Sequence, residues 1–146
     1  MPECASPITP AGHAGARLLV VDDDPQIGAA LVQLLRRHGY GADFARNGRI
    51  ALAYLSHHQV DIVLSDIFMP DFDGLELLRA LRRVSPRPRL VAMTGQDNPN
   101  LSDMLRVALQ LGAERAIRKP FDPDQLLRLL GEMIGFGRPE PEHNLL

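Results

Sequence analysis

A chain of 146 residues with 45% hydrophobic and 23% charged side chains is one globular domain's worth, which excludes wholesale disorder and a coiled coil. A net charge of -2 offers no basic surface for nucleic acid or an anionic membrane, and no apolar run approaches the roughly 18–20 residues of a membrane span. Cys4 is the single cysteine, so an intrachain disulfide framework and a cysteine-built zinc site are excluded and a reducing cytoplasm is expected.

Residues 1–16 hold three prolines, two glycines and no periodic pattern, and no basic stretch followed by an apolar one, so they read as a flexible arm rather than a secretory signal. Leu18-Leu19-Val20-Val21 is a short apolar run that stops at Asp22 and Asp23, as a buried parallel strand does. Asp24-Pro25 supplies an N-cap and a first-turn proline for a helix carrying Ile27, Ala30, Leu31, Leu34 and Leu35, which Gly39 ends. Gly41 to Ala45 is a weaker strand, and Gly48 to Ser56 a helix with Ala51, Leu52 and Leu55. Ile62-Val63-Leu64 is a third strand ending at Ser65-Asp66, and the loop Met69-Pro70-Asp71-Phe72-Asp73-Gly74 leads to a helix with Leu75, Leu77, Leu78 and Leu81. Leu90 to Met93 is a fourth strand ending at Thr94-Gly95, followed by a helix over Leu101 to Leu111. Ala116-Ile117-Arg118 is a fifth strand ending at Lys119-Pro120; Asp122-Pro123 then caps a helix from Asp124 to Ile134, and 135–146 read as a flexible tail. Five strand–helix units without a hairpin signal predict a three-layer α/β/α sandwich around a five-stranded parallel sheet.

In an open parallel sheet, ligands bind at the carboxyl ends of the strands. The predicted strand ends carry Asp22, Asp23, Asp66, Thr94 and Lys119, and Lys119 is the one lysine beside fifteen arginines. Crowded carboxylates repel one another unless a cation neutralises them, and Mg²⁺ suits hard oxygen ligands. A carboxylate can attack phosphorus to give an acyl phosphate, while a lysine and a hydroxyl offset charge on the phosphoryl oxygens. Each element alone has a plainer reading: an acidic helix N-terminus, an ordinary Pro/Asp/Gly turn, a structural threonine, a surface lysine. Jointly they read as a site for accepting a phosphoryl group.

At these residues the sequence resembles the receiver domain of bacterial two-component response regulators. The resemblance covers 17–134 and rests on Leu19-Val20-Val21-Asp22-Asp23-Asp24-Pro25, on Asp66 to Gly74, on Met93-Thr94-Gly95 and on Lys119-Pro120-Phe121. It implies a flavodoxin-like strand order 2-1-3-4-5, and phosphorylation of Asp66 by a phosphohistidine on a sensor histidine kinase or histidine phosphotransfer protein. It further implies Mg²⁺ bound directly by Asp23, Asp66 and the backbone carbonyl of Phe68, with Asp22 acting mainly through water. Thr94 and Lys119 would contact the phosphoryl group, and the bond before Pro120 would be cis.

Two positions depart from the family pattern. Ala116 stands where an aromatic switch residue is common, so either the fourth helix with its preceding loop (96–100) carries the conformational change, or another side chain substitutes. Bulky Phe68 would partly cover the phosphoryl group and influence how fast water reaches it. The implied protein is a single-domain regulator without its own enzymatic output, assisting only its own phosphotransfer and autodephosphorylation. It would signal to an unidentified protein through the fourth helix, fifth strand and fifth helix, with Leu101, Met104, Leu105 and Leu109 as candidate contacts; those leucines could equally face the core. Ile27 is a candidate kinase contact on the same terms, and a homodimer is compatible with the sequence. Alternatives are a receiver fragment of a longer hybrid histidine kinase and, from a different class, an aspartate-nucleophile small-molecule phosphatase using Asp71-Phe72-Asp73-Gly74.

Overall fold

The computed structural model describes residues 16–67, 74–95 and 101–135. Five strands and five helices alternate: β1 (Arg17–Val21), α1 (Pro25–Arg37), β2 (Gly41–Ala45), α2 (Gly48–Leu55), β3 (Ile62–Asp66), α3 (Gly74–Leu81), β4 (Arg89–Gly95), α4 (Leu101–Gln110), β5 (Arg115–Lys119) and α5 (Pro123–Gly135). All strand pairs are parallel and the sheet order is β2-β1-β3-β4-β5, the predicted topology. The chain runs from β1 outward to β2 and then crosses to β3 on the other side of β1. The switch point therefore lies between the carboxyl ends of β1 and β3.

Period-2 alternation explains why the apolar strands support layers on both faces. Leu18, Val20, Ile62, Leu64, Val91 and Met93 join one buried cluster with Leu31, Val32 and Leu35 of α1 and Leu126, Leu129, Leu130 and Met133 of α5. Leu19, Val21, Val63, Leu90 and Ala92 join the other, with Ala51 and Leu55 of α2, Leu77, Leu78 and Leu81 of α3 and Ala108 of α4.

The helix starts follow their side-chain caps. The Asp24 carboxylate accepts from the Gln26 amide at 2.9 Å with Pro25 in the first turn, and Asn47 accepts from the Ile50 amide at 2.9 Å. At α5, Asp122 accepts from the Gln125 amide at 3.0 Å. The core stripe of α1 departs from expectation. Ala30 is exposed, whereas Gly28 and Val32 are buried. Helical spacing alone fixes which residues share a face but not which face turns inward.

Gly28 is where α1 approaches β2: a Cβ built there would overlap the Phe44 ring. Gly28→Ala should lose about 1 kcal/mol net, because overpacking outweighs the alanine's better helix propensity. In a Phe44→Ala background the same change should become stabilising, which paired urea unfolding curves would show.

Several expectations fall outside the described residues: the Phe68 carbonyl, the loop from Met69 to Asp73, the segment 96–100, the side chains of Leu75, Leu101, Met104 and Leu105, and the two terminal segments. Of the α4 leucines, Leu109 is exposed.

Candidate functional site

Each apolar strand delivers a polar residue to the same edge of the sheet. Val21 of β1 stands beside Ser65 of β3, so Asp22, the next residue, emerges beside Asp66 at the end of β3. Asp66 stands beside Met93 of β4, and Gly95 of β4 beside Lys119 of β5. Asp23 projects from the turn into α1. Its neighbour Asp22 is held from two sides: the Asp22 amide donates to the Ala45 carbonyl at 3.2 Å, and an Asp22 carboxylate oxygen accepts from the Asp24 amide at 2.9 Å.

Burial separates the acids. Asp22 is 0% and Asp66 6% exposed, while Asp23 faces solvent. One carboxylate oxygen from each of the three lies within 4.8 Å of the others. Burial, and then the neighbouring charges of Asp22 and Asp66, push the Asp23 carboxyl above its usual range. Three hard oxygen donors this close together are a fitting cradle for a divalent cation.

Lys119 offsets part of this charge. Its Nζ donates to Asp22 Oδ2 at 2.8 Å and to Asp66 Oδ2 at 3.0 Å. β5 and β3 are two strand spacings apart, about 10 Å, so only a long side chain from β5 can reach Asp66 across β4. Burial pulls the Lys119 ammonium toward neutrality, but the hydrogen bonds and charges of the two carboxylates outweigh it and hold its pKa above the ordinary lysine value. The Lys119–Pro120 peptide bond that follows is cis.

Thr94 lies within β4, fully buried, and among the described residues its Oγ1 has no hydrogen-bond partner. A hydroxyl in that condition is a donor awaiting an acceptor. The structure thus brings Asp22, Asp23, Asp66 and Lys119 into one cluster, with Thr94 on the strand between Asp66 and Lys119. Ala116, the second residue of β5, is partly buried against the α2–α3–α4 side of the sheet.

Sequence reading missed one buried polar residue beside the cluster. Ser65 Oγ donates to the Asp66 carbonyl at 2.9 Å, pinning the backbone that carries the carboxylate. Its signal was present, as a hydroxyl interrupting an apolar strand just before a strand-end acid.

Chemically, the cluster offers a buried carboxylate able to act as a nucleophile, a cation cradle and an ammonium on one sheet edge, with a buried hydroxyl that has no partner among the described residues. A family model described as response regulator receiver domain matches residues 18–131. The chain is 35% identical over 124 residues to the transcriptional regulatory protein PcoR of Escherichia coli, covering 85% of this chain and 54% of PcoR. It is 34% identical over 125 residues to the response regulator MprA of Mycolicibacterium vanbaalenii, covering 85% of this chain and 52% of MprA. The chain therefore spans about half the length of these curated relatives. Among solved structures, the chemotaxis protein CheY4 of Vibrio cholerae superposes with a TM-score of 0.75 at 30% identity, covering 83% of this chain and 100% of that one.

Proposed function

The chain belongs to the response regulator receiver domain family, and from that premise we propose that Asp66 accepts a phosphoryl group from a phosphohistidine on a sensor kinase or phosphotransfer protein. The observation that carries this reading is the double hydrogen bond of Lys119 to Asp22 and Asp66: the one lysine of the chain is placed on the one strand-end carboxylate that emerges from the middle of the sheet. In the step, an Asp66 oxygen bonds to phosphorus as the phosphorus–nitrogen bond breaks and the imidazole leaves. Lys119 exchanges its Asp66 hydrogen bond for one to a phosphoryl oxygen while keeping Asp22. Thr94 Oγ1 supplies a further donor from its buried position. Asp22, Asp23 and Asp66, with the Phe68 carbonyl, would hold Mg²⁺, whose contribution is to neutralise charge on the phosphoryl oxygens.

The output is a phosphorylation-dependent protein contact in a two-component pathway or phosphorelay, made in the cytoplasm. Whether this receiver acts alone or within a longer hybrid kinase does not alter the chemistry at Asp66. The phosphatase alternative is the weaker reading, because β3 ends at Asp66 and not at Asp71. The test is intact-protein mass spectrometry after incubation with Mg²⁺ and acetyl phosphate, then with a phosphohistidine donor. A single phosphate adduct that needs Mg²⁺ and is absent from Asp66→Asn is expected. An adduct surviving in Asp66→Asn, or none with either donor, would overturn the assignment.

A further inference from the structure

Ser65 is the last residue of β3 to be paired on both sides. The β1–β3 register ends at Val21 beside Ser65, whereas the β3–β4 register runs on to Asp66 beside Met93. The peptide group that follows Asp66 therefore meets two different neighbours. Its amide, that of Ile67, donates to the Met93 carbonyl of β4 at 3.0 Å. This peptide bond is trans, and a trans peptide points its carbonyl away from its amide. The Asp66 carbonyl is thus turned toward the β1 side, past the end of that ladder. There the Ser65 hydroxyl donates to it at 2.9 Å. The peptide plane that carries Asp66 is held at both edges, by a strand on one side and by a side chain on the other.

The surroundings of Ser65 suit an apolar residue. Period-2 alternation turns its side chain away from Asp66 and toward the face where Val63 and Ile67 are buried, and its register neighbours on that face are Val21 and Ala92. A fully buried serine in this row carries a desolvation cost that an alanine would avoid. The bond to the Asp66 carbonyl offsets that cost, and its effect falls on the aim of the Asp66 side chain. Aim matters on the opposite face, where Asp66 Oδ2 lies 3.0 Å from Lys119 Nζ and shares a cluster with Asp22 and Asp23. A reacting group displaced by about 1 Å can lose about a hundredfold in rate.

We propose that Ser65 is a positioning residue for phosphoryl transfer, its hydroxyl fixing the backbone from which the Asp66 carboxylate is aimed at phosphorus. The role rests on the reading of Asp66 as phosphoacceptor. It is exerted from the far face of the sheet, through the backbone alone.

The test is the rate of phosphate-adduct formation with Mg²⁺ and acetyl phosphate, followed by intact-protein mass spectrometry. The full chain is compared with three variants, each at a temperature where circular dichroism shows it folded. Ser65→Ala removes the hydroxyl, Ser65→Cys fills its space with a weak donor, and Ser65→Thr keeps the hydroxyl while adding a methyl. The alanine and cysteine variants are expected to be slower by about tenfold, the lower range for losing a group that orients a reactive ligand. The threonine variant is expected to recover most of the parent rate despite its extra bulk. A threonine variant no faster than the alanine one, or a cysteine variant as fast as the parent, would assign Ser65 to packing and overturn the proposal. A labelled parent with an equally fast alanine variant would overturn this proposal alone. A parent that takes no label would overturn the Asp66 assignment, and this proposal with it.

Discussion

Lys119→Ala is expected to slow phosphorylation of Asp66 by about a hundredfold or more, the usual effect of removing one preorganised donor from a developing anion. The same change should lower metal-free stability by about 3 kcal/mol, because it leaves the nearly buried Asp22 and Asp66 carboxylates without the ammonium that both now contact. Added Mg²⁺ should restore part of that stability but not the phosphorylation rate. Lys119→Arg should retain more stability than rate, since a planar guanidinium cannot reproduce a compact ammonium shared between two oxygens. The pH dependence separates the folding term. The folded-state pKa of Lys119 is raised, so its stabilisation is complete below the ordinary value of 10.5 and is lost as pH climbs through the raised one. Alkaline unfolding should therefore weaken the parent protein more steeply than Lys119→Ala. Equal alkaline slopes in chemical denaturation, or an undiminished adduct rate, would contradict this account of the lysine.

Asp23→Asn should move two quantities in opposite directions. Asp23 is solvent-facing and its pKa is raised, by burial first and then by Asp22 and Asp66. A raised carboxyl binds protons more tightly in the folded state, so its ionisation costs stability as pH rises above the ordinary 3.8 and through the raised value. At neutral pH the asparagine variant should thus be slightly more stable than the parent without metal, and this gain should disappear in acid below about 3.8. The Mg²⁺-dependent increase in melting temperature should nearly vanish, with affinity down by more than about tenfold, since even groups that only orient metal ligands contribute that much. In the parent, Mg²⁺ at ten times its dissociation constant would add about 1.4 kcal/mol. Thermal melts of both proteins with and without Mg²⁺ would check both halves. A variant less stable than the parent without metal would show that Asp23 is held by attraction to Lys119 more than it is strained by its fellow acids.

Much of the fold was legible because its punctuation is chemical. Apolar runs end in acids or a lysine at Asp22, Asp66 and Lys119, and helices open on Asp24 and Asp122, so strand ends and helix starts could be placed without tertiary information. What spacing could not supply was phase and depth. Ala30 reads as core by periodicity, yet α1 is rotated to set Gly28 against Phe44 and bury Val32. Thr94 reads as a residue just past its strand, but β4 continues through Gly95, which leaves the hydroxyl inside and without a partner among the described residues. A polar network at the β2 edge had no sequence signal at all. There Tyr54 of α2 donates to Asp43 of β2, Arg36 of α1 pairs with Asp43 at 3.1 Å, and Arg17 of β1 reaches the Tyr54 hydroxyl at 3.4 Å. Its members come from four elements, and nothing local in the chain announces that they meet.

The two hydrogen bonds of Lys119 span 97 and 53 residues of sequence. Contacts of such separation form only after large loops have closed, and they rank among the slower events of folding. β5 is also the last strand and an edge strand, an element that can detach without dismantling the sheet centre. A nascent or partly opened chain could therefore display Asp22, Asp23 and Asp66 on β1 and β3 while lacking the cation that crosses to them. The three acids would then be neutralised from within the fold only when the final strand docks, so the complete charge balance of this sheet edge reports that the last strand is in place.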